Sequence, residues 1–395
     1  VATFAGIPLL DDTDVRTRTT PLLLVHGADD PTIPYRQSQR MFELASGPRY
    51  LVTVSSGGHS RFLQSPEPEI ERLLATITTA FWDSTLRGDR RASARITVHD
   101  PSGQVTVQAA PQATTGHTDC PNRGRPARDL VYRKVENVDR NLVSLDVYPP
   151  RRGCPAPVVV WVHGGGFRVG DKRHQIATKV RLFTDLGYVL VSVNYRLTDV
   201  ADDEPVRYPT HADDVAAALA WIERRIARYG GDPRRVAVIG HSAGAQIVAT
   251  LATNERILSG HGLALTDLAC VAPLDTEGFD ITRLAGAGVR MYLDAFGSDP
   301  AVWADASPIT HVAPGKGIPP HLLVQRGTAA RRAALARYAE ALQRAGVPVT
   351  TLDASELSHN EVNTRIGAPG DTLMTVPLSA FLDGCLSSRG KPAER

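Results

Sequence analysis

The chain has 395 residues, 42% of them hydrophobic, which is enough to bury one large core or two smaller ones. Its 44 basic and 42 acidic residues leave a formal net charge of +2 with no long block of one sign, so the charge pattern points away from nucleic-acid and acidic-polymer partners. Apolar runs such as 158–162 fall far short of the roughly 20 residues that a helical bilayer span requires.

At the start, the residues after Val1 contain no charged segment leading into an apolar signal core. A leader already removed and a start inside a longer protein fit equally well, so localisation is not read from that end. Residues 21–60 then match residues 321–360 at a constant shift of 300. Leu22-Leu23 falls on Leu322-Leu323, Gly27 on Gly327, Ala45 on Ala345, Pro48 on Pro348 and His59 on His359. Further on, Ala80-Phe81, Asp83 and Leu86 fall on Ala380-Phe381, Asp383 and Leu386. Each copy reads as an apolar strand, an amphipathic helix, a second strand, a His-bearing loop and a closing helix, the final portion of an α/β unit. Residues 1–92 are therefore expected to be the tail of a first unit whose beginning is absent from this sequence. Residues 93–124, with Asp100-Pro101-Ser102-Gly103 and an Ala/Pro/Thr-rich stretch, are expected to be a turn and linker. Residues 125–390 are expected to be a complete second unit.

The four cysteines have no CxxC spacing, and no metal site is expected. Cys120 and Cys154 flank the entry to the second unit; a disulfide between them, if formed, favours an exported protein. Cys270, in the apolar run 269–272, is expected to be a small buried core residue.

In the second unit, residues 158–162 form a buried parallel strand that ends at His163-Gly164-Gly165-Gly166-Phe167. A strand over 189–193 leads into Asn194-Tyr195-Arg196, and a helix is predicted from about His211 to Tyr229. Val236-Ala237-Val238-Ile239 then runs into Gly240-His241-Ser242-Ala243-Gly244, and helical sequence follows. A strand, a sharp turn with small residues around a serine, and a helix are the context of a nucleophile elbow.

These motifs resemble the α/β-hydrolase superfamily, specifically esterases with an HGGG loop, including hormone-sensitive-lipase-like and feruloyl-esterase- or formamidase-like branches. The resemblance covers about residues 125–390. It implies a mostly parallel central sheet flanked by helices, with Ser242 as nucleophile and an acyl-serine intermediate. It also implies an oxyanion hole formed by the backbone N–H groups of Gly164, Gly165 and Ala243. The family order of serine, acid and histidine places the base at His359, whereas His163, His241 and His321 lie in other settings. The usual acid position, occupied by Asp30 in the first copy, falls on Ala330 in the second. Some family members carry the acid one strand earlier, and there Asp275 is the leading candidate, followed by Glu277, Asp280 and Asp353.

The first copy, with Asp30 and His59, resembles the tail of dienelactone-hydrolase-like or polyester-degrading hydrolases, yet no GxSxG occurs in residues 1–120. A shared site in which Asp30 and His59 serve Ser242 is the least favoured reading, because the second unit carries its own His359. The expected partner is a short-chain or aryl ester, with Phe167 and Tyr195 expected at the substrate site and Phe279, Tyr292, Phe296 and Trp303 as further candidates for its walls. No cofactor is implied. The alternatives are an aryl formamidase or other amidase, a polyester hydrolase, or a non-catalytic binding protein whose degenerate triad is signalled by Ala330.

Overall fold

The computed structural model describes residues 2–4, 20–45, 47–56, 58–59, 68–87, 89, 92–97, 100, 102–110, 120, 124–150 and 153–388. These fall into two units, Val1–Gly116 and His117–Arg395.

In the first unit, β1 (Ala2–Phe4), β2 (Leu22–Gly27), β3 (Arg49–Val54) and β4 (Val105–Ala110) lie side by side in that order. The first three are parallel and β4 is antiparallel to β3. Successive side chains of a strand point to opposite faces, and here both faces are covered. Leu22 and Leu24 pack with Met41 and Phe42 of the helix Arg36–Leu44. Leu23 and Val25 pack with Ile70, Leu74, Ile77 and Phe81 of the helix Pro68–Leu86. The linker expectation for 93–124 is corrected in its first half, which carries β4 and most of the helix Ala92–Ile96. Val105 and Val107 alternate onto the apolar face beside Val52 and Val54, a two-residue period that the polar composition around it obscured. Residues 98–99, 101, 111–119 and 121–123 of that stretch lie outside the described residues.

The second unit is built on an eight-stranded sheet. Its strands are β5 (Ala127–Val131), β6 (Ser144–Tyr148), β7 (Ala156–Val162), β8 (Val189–Val193), β9 (Gly231–His241), β10 (Leu268–Leu274), β11 (His321–Gln325) and β12 (Val349–Asp353), in the spatial order β12-β11-β10-β9-β7-β8-β6-β5. The strands from β12 to β8 are parallel, and the β5–β6 and β6–β8 pairs are antiparallel. Along β7, Val158, Val160 and Val162 enter one core and Val159 and Trp161 the other, so an uninterrupted apolar run is what a sheet covered by helices on both faces demands. The helix expected from His211 is Thr210–Arg225, followed by a 3-10 turn, Ile226–Tyr229. Among the described residues, no helix is long and apolar enough to cross a membrane.

Strand register brings three chain segments together. β9 is central, β7 flanks it on one side and β10 on the other, with Val162 opposite Gly240 and Leu274 opposite His241. The segments leaving these strands, at 163, 242 and 275, therefore emerge side by side at the carboxyl edge of the sheet, where open α/β sheets bind ligands.

Two disulfides form, Cys120–Cys154 and Cys270–Cys385. Cys270 is the small buried core residue expected, and the second bridge adds a covalent partner to it. Its partner lies 115 residues away in the helix Thr375–Ser388, and only the packing of that helix against β10 brings them together. Because it closes a long loop, replacing Cys270 and Cys385 together by alanine should lower the unfolding free energy by about 2–5 kcal/mol. Urea denaturation checks this, and an unchanged midpoint would show that the bridge adds no stability.

Candidate active site

Ser242 sits between β9 and the helix Ala243–Thr253 with φ 57° and ψ −117°, a left-handed backbone that a non-glycine residue adopts only under constraint. The turn is held by its own N–H, which donates to Leu274 O at 3.1 Å, and by its carbonyl, which accepts from Ala245 and Gln246. Gly244 is required by crowding, since a Cβ there would lie 2.3 Å from Val162 O and 2.5 Å from His163 O. Any side chain would push the helix off β7.

His359 begins the short helix His359–Thr364, which Ser358 and Glu361 cap reciprocally. Its Nε2 lies 2.9 Å from Ser242 Oγ, and its Nδ1 lies 2.5 Å from Asp275 Oδ2. Asp275 follows β10 directly and is itself left-handed, with φ 54°. The carboxylate is 2% exposed while the His359 side chain is 44% exposed, so Asp275 is shielded and the imidazole reaches the open site. Burial alone would raise the Asp275 carboxyl; the hydrogen bond and charge of His359, with Arg331 and Arg326, outweigh it and hold it at about 2. The acid therefore stays ionised at neutral pH. The other carboxylates weighed for this place are occupied elsewhere: Glu277 pairs with Arg331, Asp280 caps the helix Ile281–Gly286, and Asp353 accepts from Ser355 N.

On the opposite side of Ser242 runs the glycine loop. A Cβ on Gly164 would lie 3.0 Å from Ser242 Cβ, which measures how closely that backbone approaches the serine. Among the described residues, the N–H groups of Gly164, Gly165 and Ala243 enter no internal hydrogen bond, and Ala243 opens an 11-residue helix whose positive end faces the serine. The loop is tied down from β8. Tyr195 Oη donates to His163 O at 3.0 Å, and Asn194 Oδ1 accepts from Lys172 N at 2.5 Å. His163 donates from Nδ1 to Gly164 O at 2.7 Å, and burial pushes its pKa down to about 4, which keeps it neutral.

The BD-FAE family model matches residues 145–332. Carboxylesterase NlhH of Mycobacterium tuberculosis is 34% identical over 238 residues, covering 56% of this chain and 72% of that protein. Esterase LipI of the same organism is 32% identical over 243 residues, covering 58% and 73%. The chain belongs to the α/β-hydrolase carboxylesterases. Among solved structures, the hyperthermophilic esterase of Pyrobaculum calidifontis superposes with a TM-score of 0.51 at 25% identity, covering 62% of this chain and 81% of that one. Esterase B of Lactobacillus rhamnosis, in a tributyrin phosphonate complex, superposes with a TM-score of 0.57 at 19% identity, a likeness of fold.

Within this carboxylesterase fold two cavities meet at Ser242 and His359. One, of about 220 Å³, is lined by Phe167, Gln246, Met291, Tyr292 and Arg331. The other, of about 530 Å³, runs along the glycine loop past His174, Gln175, Asn360 and Asn363. Tyr195 lines neither of them; it is fully buried, with its ring stacked on His163 at 4.5 Å, and supports the glycine loop from beneath. Its expected place at the substrate is corrected, because β8 ends beneath the loop. Phe279 and Phe296 are likewise core residues, stacked on Tyr338 and set edge-on to Phe167, and the Trp303 indole donates to Gly297 O.

Three features went unread in the sequence. His241 donates from Nε2 to the His359 carbonyl at 2.9 Å, and burial, chiefly, pushes its pKa down to about 4, so a neutral imidazole braces His359. Arg326 and Arg331 both reach Asp275, at 2.5 and 2.9 Å. The signal for them lay in the Arg326–Arg331 segment itself, the loop noted only for its missing acid.

In the first unit, His59 Nδ1 lies 2.9 Å from Asp30 Oδ2. Burial opposes ionisation of Asp30, and the Ile33 and Thr32 N–H groups together with His59 overcome it and hold the carboxyl at about 2. His59 and Asp30 thus pair with each other, as do Ser242 and His359.

If Asp275 orients His359, Asp275→Asn should lower kcat by about three to four orders of magnitude with the circular dichroism spectrum unchanged. Near-normal turnover would remove Asp275 from that role. Tyr195→Phe, which leaves the His163 carbonyl short of a donor, should cost about 1–3 kcal/mol of stability, read as a lowered thermal midpoint, and an unaltered midpoint would contradict the supporting role.

Proposed function

We propose that the second unit hydrolyses short-chain or aryl carboxylic esters through an acyl-serine intermediate, with Ser242 as nucleophile, His359 as general base and Asp275 as the acid that orients it. The observation that carries this reading is the unbroken relay from Ser242 Oγ through the imidazole to a buried, ionised carboxylate, at 2.9 and 2.5 Å. Ser242 Oγ attacks the ester carbonyl as its proton passes to His359 Nε2. The oxyanion is received by the N–H groups of Gly164, Gly165 and Ala243. The imidazolium returns the proton to the leaving alkoxide, and water then attacks the acyl-enzyme by the same path in reverse order.

The smaller cavity, walled by Phe167, Met291 and Tyr292, suits a short acyl or aryl group, and the larger one the departing alcohol. The similarity to proteins named carboxylesterase and esterase supports the reaction class. The binding-protein alternative took its motive from Ala330, and the contact of Asp275 with His359 weakens it. Two disulfides favour an oxidising, extracellular setting for the protein.

Hydrolysis of p-nitrophenyl acetate and butyrate by the intact chain and by Ser242→Ala, with fluorophosphonate labelling and peptide mapping, tests the proposal. Turnover lost in the variant and label on Ser242 are expected. A folded chain that neither turns over these esters nor takes the label would favour the binding protein.

A further inference from the structure

The loop after β11 runs Arg326-Gly327-Thr328-Ala329-Ala330-Arg331 and has no carboxylate. It has two guanidinium groups, and both end on Asp275. Arg326 Nη1 lies 2.5 Å from Oδ2, the oxygen that also faces His359 Nδ1, while Arg331 Nη2 lies 2.9 Å from Oδ1. Each arginine makes a second contact that fixes its approach. Arg326 Nε donates to Leu357 O at 3.1 Å, two residues ahead of His359, so one side chain ties the acid to the segment bearing the base. Arg331 Nη1 pairs with Glu277 at 2.9 Å. Thr328 caps the helix Ala329–Arg344 by accepting from Arg331 N, and Gly327 leaves room for the Arg331 stem, since a Cβ there would lie 3.0 Å from Arg331 Cδ.

The internal repeat supplies a comparison. In the first copy the equivalent loop carries the acid, Asp30, and His26, which matches Arg326 in register, meets it through Nε2 at 3.0 Å. The residue at this strand end touches the acid in both copies, whether the acid comes from its own loop or from the neighbouring strand.

We propose that Arg326 and Arg331 are positioning residues that replace the loop acid with a cationic clamp, holding Asp275 ionised with Oδ2 turned to His359 and setting the pH range in which His359 serves as base. The inference rests on the reading of Ser242, His359 and Asp275 as the acyl-transfer machinery. The clamp acts in two directions. It fixes the carboxylate in its left-handed backbone, and its two positive charges oppose protonation of the imidazole that the carboxylate favours. Other titratable groups around His359 are His241 from β9, with ring centroids 4.6 Å apart, Lys179 beyond it, Glu277 across Arg331, Glu361 on its own helix, and His163, Asp171 and His174, which line the same cavity. Among the described residues, the two arginines form ion pairs with Asp275, and none of these other groups does.

The test uses the full chain as wild type, Arg331→Gln, Arg331→Lys and Arg326→Gln. Two quantities are followed against pH: kcat/KM for p-nitrophenyl butyrate, and the low-field proton resonance of the His359 Nδ1–H. With Arg331→Gln, the acid limb of kcat/KM and the titration of the resonance should both move upward by roughly half to one pH unit, since one nearby cation is gone. kcat should fall about tenfold, with KM changed much less, as befits lost orientation of Asp275 rather than lost substrate binding. Arg331→Lys should restore the limb through its charge while kcat stays low, because an ammonium cannot bridge Asp275 and Glu277 as a planar fork does. Folded Arg331→Gln and Arg326→Gln proteins whose limb and resonance titrate with the wild type would overturn the clamp. So would wild-type kcat in Arg331→Lys, which keeps the test decisive if a glutamine variant does not fold. The resonance needs no turnover, so failure of the esterase reading would be seen separately, as a titrating wild type that hydrolyses nothing.

Discussion

The parallel register of β9 and β10, with Leu274 opposite His241, is the constraint on which the site depends. It brings two non-glycine residues in left-handed backbone, Ser242 at φ 57° and Asp275 at φ 54°, to adjacent strand ends. Such conformations cost on the order of 1–3 kcal/mol each and persist only where the surroundings dictate them. Here the dictating contacts are the Ser242 N–H on Leu274 O, the helix starting at Ala243, and the arginines on Asp275. The strain lifts the hydroxyl clear of the sheet and turns the carboxylate across toward the same histidine.

Charge balance is the second organising element. A buried carboxylate with no partner would be costly, and Asp275 is surrounded by His359, Arg326 and Arg331, with Glu277 offsetting the excess positive charge. The same logic supports the far side of the serine. Lys172, fully buried, donates from Nζ to Ser144 Oγ at 2.9 Å and pairs with Asp129 at 3.0 Å, while its backbone N–H is held by Asn194. The glycine loop thus ends on an anchored residue, and among the described residues the Gly164 and Gly165 N–H groups enter no internal hydrogen bond.

Parts of this arrangement were legible one residue at a time. The apolar run 158–162, the small residues around Ser242 and the order of serine and histidine each reflect a local rule: continuous hydrophobicity for a doubly covered strand, small side chains for a crowded turn, a fixed chain order for the fold. Asp275 was reachable through the resemblance, in which some members carry the acid one strand earlier, once Ala330 filled the usual place. Tyr195 was misplaced because an aromatic residue next to a glycine motif reads the same whether it faces the cavity or supports the loop. The Cys270–Cys385 bridge was missed because its partners are remote in sequence, and β4 because polar composition around it obscured its two-residue period.

By itself the sequence determined the α/β order, the sharp turn around Ser242 and the glycine loop, since each depends on the period or crowding of a short segment. Tertiary structure decided which carboxylate faces His359, that Arg326 and Arg331 grip it, that His241 braces His359, and which cysteines meet. Those outcomes are set by which strand lies beside which and in what register, and that is a property of the assembled sheet that no single segment encodes.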